Sequence, residues 1–570
     1  MKQLKIYKSA LTVAAALLLG GVTIGCSDWD DHYDANTTVS SEGSTTLLQN
    51  IKANSNLSHF AALLERSGFA SSLDTTQVYT VWAPVNDSFD YATLSQESNS
   101  TLLKEFIENH VARYTYGANG TIDENVLMLN EKMNRFAGSG SYTFGGINVA
   151  QANLPSSNGL LHTLSGMVTF YPSIYEYLDK REFPIDSIAD YIHHYDEKYI
   201  DESNSLQGPM VNGQVTYLDT VWIERNLLCN YITIEDSSYT MLLLTNNAWN
   251  KASEKLASYF NYVENFTFTD PINSDNTQRI TIDTETMTDS MVHYHIVRDI
   301  FFNNRQYDHA KLAAAATYND INCDSLVSVS ASYYDPTIAP DRLMYAEDAK
   351  DLFYGAEKRT MSNGYVWVTD SFRMKPWNSW AGIMTSNNAA GAKMGTLTPV
   401  RVGQSSVNPE TGVITSSSLF YYDVKPTSSS SSPEIDFYLG GVLSTTYNIY
   451  GVFVPANVAN LSATNLRPNY VTVTLGYNNE KGQTRTQQLG KFTNDSARID
   501  TVFFGEFTFP MCYRGTGYYP YIRVRSSFNT SSESDIYDNE IRMAGIILVP
   551  KELDDYLDEH PDYKFYTDND

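Results

Sequence analysis

Residues 79–92 read YTVWAPVNDSFDYA. Val78 to Trp82 is a run of β-branched and aromatic residues, the composition of a strand, and Pro84 breaks it. Asn86-Asp87-Ser88 then offers side-chain oxygens to cap a helix start. Upstream, residues 46–69 (TLLQNIKANSNLSHFAALLERSGF) carry Leu48, Ile51, Leu57, Phe60, Leu63 and Leu64 at helical spacing. Downstream, LLKEFIENHVARY at 102–114 continues as a helix. INVAQANLPSSNGLLHTLSGMVTFYP at 147–172 reads as two strands around an Asn158-Gly159 turn. Helices and strands thus share one block, an α+β arrangement.

The block recurs. YTMLLLTNNAWNKA at 239–252 parallels residues 79–92, His295-Ile296-Val297-Arg298 parallels His110-Val111-Ala112-Arg113, and NGYVWVTDSF at 363–372 parallels NGLLHTLSGM at 158–167. Three matches in one order make an internal repeat. Tyr79 and Asn158 are 79 positions apart, whereas Tyr239 and Asn363 are 124 apart. The second copy therefore holds an insertion, expected as long loops or an extra hairpin.

This pattern resembles the fasciclin domain. In the first copy, residues 46–172, Tyr79, Thr80, Ala83, Pro84, Asn86, His110, Asn158, Gly159 and His162 carry the resemblance. In the second, residues 173–375, Tyr294-His295 and Asn363-Gly364 carry it, while Leu243-Leu244 stands for Ala-Pro and Trp367 for the second histidine. The resemblance implies two tandem folds with β-sandwich-like cores, built for adhesion or extracellular binding and not for catalysis. It does not by itself fix a function.

Residues 376–552 read differently. SSLFYYDV, PEIDFYLGG, TYNIYGVFVP, YVTVTLGYNN, RIDTVFFGEFTF, YYPYIRVRS and IRMAGIILVP are short strands separated by turn signals. Seven or more such strands predict a β-sandwich or jelly roll. Their order is similar to galactose-binding-like jelly rolls, the architecture of many carbohydrate-binding modules. The PTSSSSSP stretch at 426–433 reads as a loop inside this domain, and residues 553–570 as an acidic tail.

The N-terminus gives the expected location. Lys2, Lys5 and Lys8 precede an apolar run from Ala10 to Leu19, with small residues before Cys26. Residues 1–25 read as a secretory signal. Thr23-Ile24-Gly25-Cys26 resembles a bacterial lipobox, which implies an acylated Cys26. Residues 26–45 read as an acidic, flexible tether, and Ser27-Asp28-Trp29-Asp30-Asp31 resembles the export signal of outer-membrane surface lipoproteins. The implied place is the outer membrane, lipid-anchored and facing outward.

The formal charge is −27, and −30 once Lys2, Lys5 and Lys8 are removed with the signal. Such a surface repels nucleic acid and anionic headgroups. Setting Cys26 aside leaves Cys229, Cys323 and Cys512, an odd number that builds no disulfide framework. Cys229 and Cys512 lie in apolar stretches and read as buried hydrophobes, and pairing of Cys229 with Cys323 stays open.

A search for chemistry finds no nucleophile elbow, zinc motif or phosphate loop. His193-His194 are adjacent and point to different helix faces, so no metal is expected there. His110 and His295 read as core histidines bonded to backbone, since no motif sets a nucleophile beside them. No cofactor is implied. Asp and Glu are too numerous for any pair to stand out as glycosidase carboxylates. Asp-Ser and Asp-Thr pairs around Thr75, Ser187, Thr220, Ser290, Ser325, Ser496 and Thr501 resemble bacterial O-glycosylation sites.

Flat aromatic rings stack on the C–H faces of sugars. Tyr518, Tyr519 and Tyr521 with Arg514, in YRGTGYYPYIRVR, and Trp377 with Trp380, in KPWNSWAG, are the candidate ligand-binding residues. Packing inside the sandwich or at a domain junction is the competing reading for both. The expected role is non-enzymatic binding of an extracellular glycan, as an accessory to an outer-membrane glycan transporter. Adhesion to a surface protein and a glycan-active enzyme with an unrecognised site are the alternatives.

Overall fold

The computed structural model describes residues 45–561 except 204, 211–212, 214, 236–238, 274–275, 304–324, 328–342, 346–354, 374, 379–380, 404–417 and 460–462. Cys26, Cys323, Trp380 and the last residues of the acidic tail lie outside the described set. The chain divides into two compact units. One holds the described residues up to Tyr177 with Ile232–Ser237 and Thr360–Asn363, and the other holds Leu178–Tyr231, Ser238–Arg359 and Gly364 onward.

The first repeat opens with helices α1 (Leu47–Ala53) and α2 (Ser58–Ser67). Its sheet comprises β1 (Tyr79–Pro84), β2 (Val111–Arg113), β3 (Thr121–Leu127), β4 (Met133–Ser139), β5 (Ser141–Phe144), β6 (Ile147–Ser156) and β7 (Gly159–Leu164), in the order β2-β1-β7-β6-β5-β4-β3. Period-two alternation splits β1 between two cores. Val81 and Ala83 face the helices with Ile51, Phe60, Leu64 and Phe106. Trp82 faces the other side with Phe136, Phe144 and Leu164. Asn86 does not cap the helix that follows it. Its side chain accepts from His59 N and donates to Ser55 O and Ser58 Oγ, pinning the start of α2, and Asp90 supplies the next cap.

The second repeat runs through α3 (Ile174–Lys180), α4 (Asp186–His193), β8 (Asp196–Ile200), β9 (Leu206–Gln207), β10 (Tyr217–Asp219), β11 (Trp222–Asn226) and β12 (Tyr239–Leu244). It continues with α5 (Asn246–Ala257), β13 (Asn265–Thr269), β14 (Thr277–Thr281), α6 (Thr284–Asp299) and β15 (Phe301–Asn303). Strands β16 (Ser325–Val327), β17 (Leu343–Tyr345), β18 (Glu357–Met361) and β19 (Gly364–Thr369) complete it. Its central strands repeat the first sheet residue for residue. β1 pairs parallel with β7, Tyr79 opposite Gly159, and β12 pairs parallel with β19, Tyr239 opposite Gly364.

The Asn-Gly pair explains the repeat. Asn158 Oδ1 accepts from Leu47 N, and its Nδ2 donates to Leu73 O and Thr75 O. Asn363 Oδ1 accepts from Ile174 N, and its Nδ2 donates to Ile232 O and Ile234 O. Each asparagine is buried and ties a helix start to a loop. Gly159 has φ +145° and Gly364 φ +137°, and a Cβ at either would stand 1.8 Å from the opposing tyrosine carbonyl. Only glycine fits there.

The strand register corrects one match. Val111 lies opposite Val81, and Phe301, not Ile296, lies opposite Met241. Ile300 therefore stands where His110 does. Tyr294 and His295 sit inside α6, which continues helical to Asp299. Two insertions enlarge the second repeat: the β13–β14 hairpin, and the ribbon of β8 to β11 between α4 and β12.

The C-terminal domain is a two-sheet β-sandwich. Its strands are β20 (Met384–Ser386), β21 (Ala389–Lys393), β22 (Gly395–Gly403), β23 (Ser418–Pro426), β24 (Glu434–Tyr438), β25 (Thr446–Phe453), β26 (Tyr470–Asn478), β27 (Thr484–Thr493), β28 (Asp500–Thr508), β29 (Tyr521–Ser526) and β30 (Ile541–Pro550). One sheet runs β22-β23-β30-β25-β28, with β20 also on β30, and the other β21-β24-β29-β26-β27. Ile435, Phe437, Val473, Leu475, Ile522 and Val524 are the buried alternates of the second sheet. Residues 553–559 of the expected tail belong to helix α7 (Lys551–Glu559), with Leu553 buried.

Candidate functional site

The motif histidines are structural. His110 Nδ1 lies 2.7 Å from Phe106 O, and its Nε2 accepts from Val168 N at 3.1 Å. His162 uses the opposite tautomer: Nε2 faces Tyr116 O at 2.9 Å, and Nδ1 accepts from Asn153 N at 3.3 Å. Each ring gives one proton and accepts another, which requires it neutral. Burial lowers both to about 4 against weak support from the carbonyls. Thr80 Oγ1 donates to Tyr114 O and accepts from Tyr116 N, so it too serves the backbone. Buried His295 lies against Phe260.

The tyrosine cluster does not form one platform. Tyr518 packs edge-on to Phe266 and against Phe268 of β13. Tyr521 covers Gly476, where a Cβ would meet its ring at 2.1 Å. Tyr519 alone is exposed, at 39%, beside Tyr438. The Arg514 carbonyl accepts from Tyr262 Oη. The cause is the β13–β14 hairpin, which lies on this sheet. Asn478 Nδ2 and Thr484 Oγ1 donate to Thr267 O, and Arg523 donates to Pro271 O while pairing with Asp436.

Trp377 lies elsewhere, in a cleft of about 590 Å³. Three segments build it. Helix α5 starts at Thr245, whose side chain accepts from Ala248 N. It buries Ala248, Trp249, Ala252 and Leu256, and this leaves Lys251 and Lys255, one turn apart, on the cleft. Residues 370–377 supply Asp370, Arg373, Lys375 and Trp377. Helix α7 supplies Glu552, Asp555, Tyr556 and Glu559, which share a face at helical spacing.

The cleft has an aromatic wall and charged walls. Trp377, 7% exposed, meets Tyr556 at 4.9 Å and 45°. His560 stacks behind Tyr556 at 4.1 Å, and Lys375 Nζ lies 5.1 Å from the Tyr556 ring centre. Glu552 takes Lys255 Nζ at 3.2 Å and the Tyr259 hydroxyl. Asp370 accepts from Thr245 Oγ1 and Asn247 Nδ2, which hold its carboxyl below the usual range. The Trp377 ring is buried and His560 covers a face of Tyr556, so the cleft presents the exposed part of Tyr556 beside fixed donors and acceptors, which suit a hydroxyl-rich ligand. Of these residues the sequence singles out only Trp377. The i, i+4 lysines and the Leu553–Tyr556 spacing were the available signals for the rest.

Among the described residues no three His, Cys, Asp or Glu are grouped to hold a metal ion. No described helix is long and apolar enough to cross a membrane. Cys229 and Cys512 are buried free thiols.

Residues 55–169 match the family described as Fasciclin domain, a non-catalytic adhesion domain. No curated protein matches the chain. Among solved structures, a fasciclin domain pair from an insect cell-adhesion molecule is 12% identical, with a TM-score of 0.20, over 57% of this chain and 99% of that one. A Clostridium thermocellum xylanase, its carbohydrate-binding and catalytic modules complexed with xylohexaose, is 11% identical, with a TM-score of 0.18, over 30% and 26%. A carbohydrate-binding module of the β-sandwich superfamily is 12% identical, with a TM-score of 0.16, over 33% and 64%.

Proposed function

We propose that this chain is a non-catalytic surface protein that binds an extracellular glycan in the Trp377–Tyr556 cleft. The observation that carries the reading is the aromatic pair set among charged side chains in a cleft of about 590 Å³. That size takes a saccharide of a few rings. Contact with the exposed part of the Tyr556 ring, hydrogen bonds donated by the lysines and Arg373, and hydrogen bonds accepted by the carboxylates supply the affinity. The chain's placement on the outer membrane through a lipid on Cys26, and its work beside a glycan transporter, belong to the same proposal and rest on residues 1–31 alone.

The test is binding of residues 27–570 to a polysaccharide panel, beside Trp377→Ala, Tyr556→Ala and Tyr519→Ala variants. A loss of roughly three- to tenfold is expected in the first two, since an aromatic contact contributes on the order of 0.5–1.5 kcal/mol. Tyr519→Ala should bind as the parent does. Loss in Tyr519→Ala alone moves the site to the sandwich, and a panel without any binder refutes the reading.

A further inference from the structure

Among the described residues, six of the seventeen exposed large hydrophobic side chains lie in one insertion. Between α4 and β12 the second repeat sends out a ribbon, β8 paired with β11 and β9 with β10, where the first repeat passes from α2 to β1 without a strand. Tyr199, Leu206, Met210, Val215, Val221 and Trp222 all lie on it, 40% to 66% exposed. The pairing puts Trp222 opposite Ile200 on one face and Ile223 opposite Tyr199 on the other. Each face therefore carries one apolar pair, with Trp222 and Tyr199 partly exposed. A two-stranded ribbon is marginal by itself in water, and contiguous exposed apolar surface marks interaction.

The edges are open as well. Among the described residues β8 and β11 have only each other as neighbours, so each has an outer row of backbone N–H and C=O groups outside the ladder. The charges select the partner. Lys198 and Arg225 are the only cations between residues 196 and 226, against six acids. Both are engaged inside the ribbon. Lys198 pairs with Glu224 and lies over Trp222, and Arg225 pairs with Glu197 and lies over Tyr199. The ribbon is left acidic as well as apolar.

We propose that this ribbon is a docking surface for a partner protein, which adds an extended, basic and apolar segment to the edge of β8 or β11. Strand addition uses the open backbone rows, and alternate side chains of the partner reach Tyr199 and Trp222. Lysine or arginine on the added strand meets the surplus acid. A second copy of this chain is disfavoured, because it would bring the same surplus of acid to the edge: six acids against two cations between residues 196 and 226. Anionic headgroups are repelled for the same reason of charge. The proposal stands whether or not the cleft binds a glycan.

The test is titration of residues 27–570 into a fluorescent decapeptide of alternating valine and lysine, beside its valine–glutamate counterpart. Saturable binding is expected for the basic peptide, weakening severalfold between 50 and 300 mM salt, with no binding of the acidic one. Tyr199→Ser/Trp222→Ser should lose at least tenfold in affinity. Leu206→Ser/Met210→Ser, which leaves the β8–β11 ladder intact, guards against simple loss of the ribbon and should also weaken binding. Equal binding of both peptides, no binding, or binding unchanged in both variants overturns the proposal. So does a concentration-dependent dimer abolished by Trp222→Ser, or capture by vesicles of anionic lipid.

Discussion

Lowering the pH from 7 to 5 should loosen the first repeat selectively, because His110 and His162 must stay neutral in it. Both are held near 4 in the fold against an ordinary value of 6.5. The sign follows from linkage: between pH 6.5 and 4 the unfolded chain binds protons that the folded one refuses. Stability is complete above the unfolded value and falls as pH drops through this window. At pH 5 each histidine costs about 2 kcal/mol, and the pair about 4 kcal/mol, a large share of the 5–15 kcal/mol that holds a domain. Glu176 adds to the loss only at lower pH. Burial pushes its carboxyl up, but the hydrogen bonds from Lys104 and Lys132 outweigh this and leave it at about 2. The assay is urea unfolding read by hydrogen–deuterium labelling of peptides spanning β1 and β7, at pH 7 and pH 5. His110→Gln/His162→Gln should be weaker at pH 7 but nearly flat between the two. An unchanged midpoint for the parent, or a double variant with the parent's slope, refutes the account of these rings as neutral backbone bridges.

Asn363→Ala removes one acceptor and two donor contacts in a buried place, and about 3 kcal/mol of stability should go with it, measured by urea unfolding. Asn158→Ala should cost a similar amount, and a difference of more than twofold would deny that the two sites are equivalent. Lys132, itself buried, pairs with Glu176 at 2.6 Å and Glu235 at 2.5 Å. Lys132→Met should destabilise by roughly 3 kcal/mol, and Lys132→Met/Glu235→Gln by less, because the single change strands a carboxylate. Asp423 in the sandwich should contribute a pH trend opposite to that of the two histidines. Burial first, then Glu540 beside it, pushes Asp423 up to about 7. The folded form thus keeps a proton that the unfolded chain releases near 4, so this contribution fades as pH rises toward 7. Asp423→Asn should raise the thermal midpoint at pH 8 more than at pH 5.

The parts of the fold that the sequence revealed are those where one residue type has one physical solution. Asn158-Gly159 and Asn363-Gly364 mark the same crossing because only glycine clears the opposing carbonyl and only a buried amide satisfies that set of backbone groups. The alternating strands of the sandwich were visible for the same reason of period two. His295 misled because α6 stays helical where the first repeat turns to a strand, so identical letters occupy different geometry. Tyr518, Tyr519 and Tyr521 looked like a platform because sequence neighbours need not share a surface, and the hairpin that separates them lies far upstream in the chain. Trp377 could be picked out alone. Its partner Tyr556 could not, since acidic residues surround it and only folding brings α7 to the cleft.

The second asparagine has a consequence for the order in which the chain takes shape. Its three bonds reach back 189, 131 and 129 residues, to Ile174, Ile232 and Ile234. A ribosome delivers these positions long before residue 363. Until then Ile174 N has no acceptor from this side chain, and the Ile232–Ile234 turn no donor. The nascent N-terminal half therefore waits half-closed, its own parallel crossing at β7 already made and its last clasp still unsynthesised. Contacts of such span are slow to form and leave apolar surface uncovered meanwhile. Truncations that stop between residues 238 and 362 should therefore be recovered aggregated or degraded even though they contain every residue of the first seven strands.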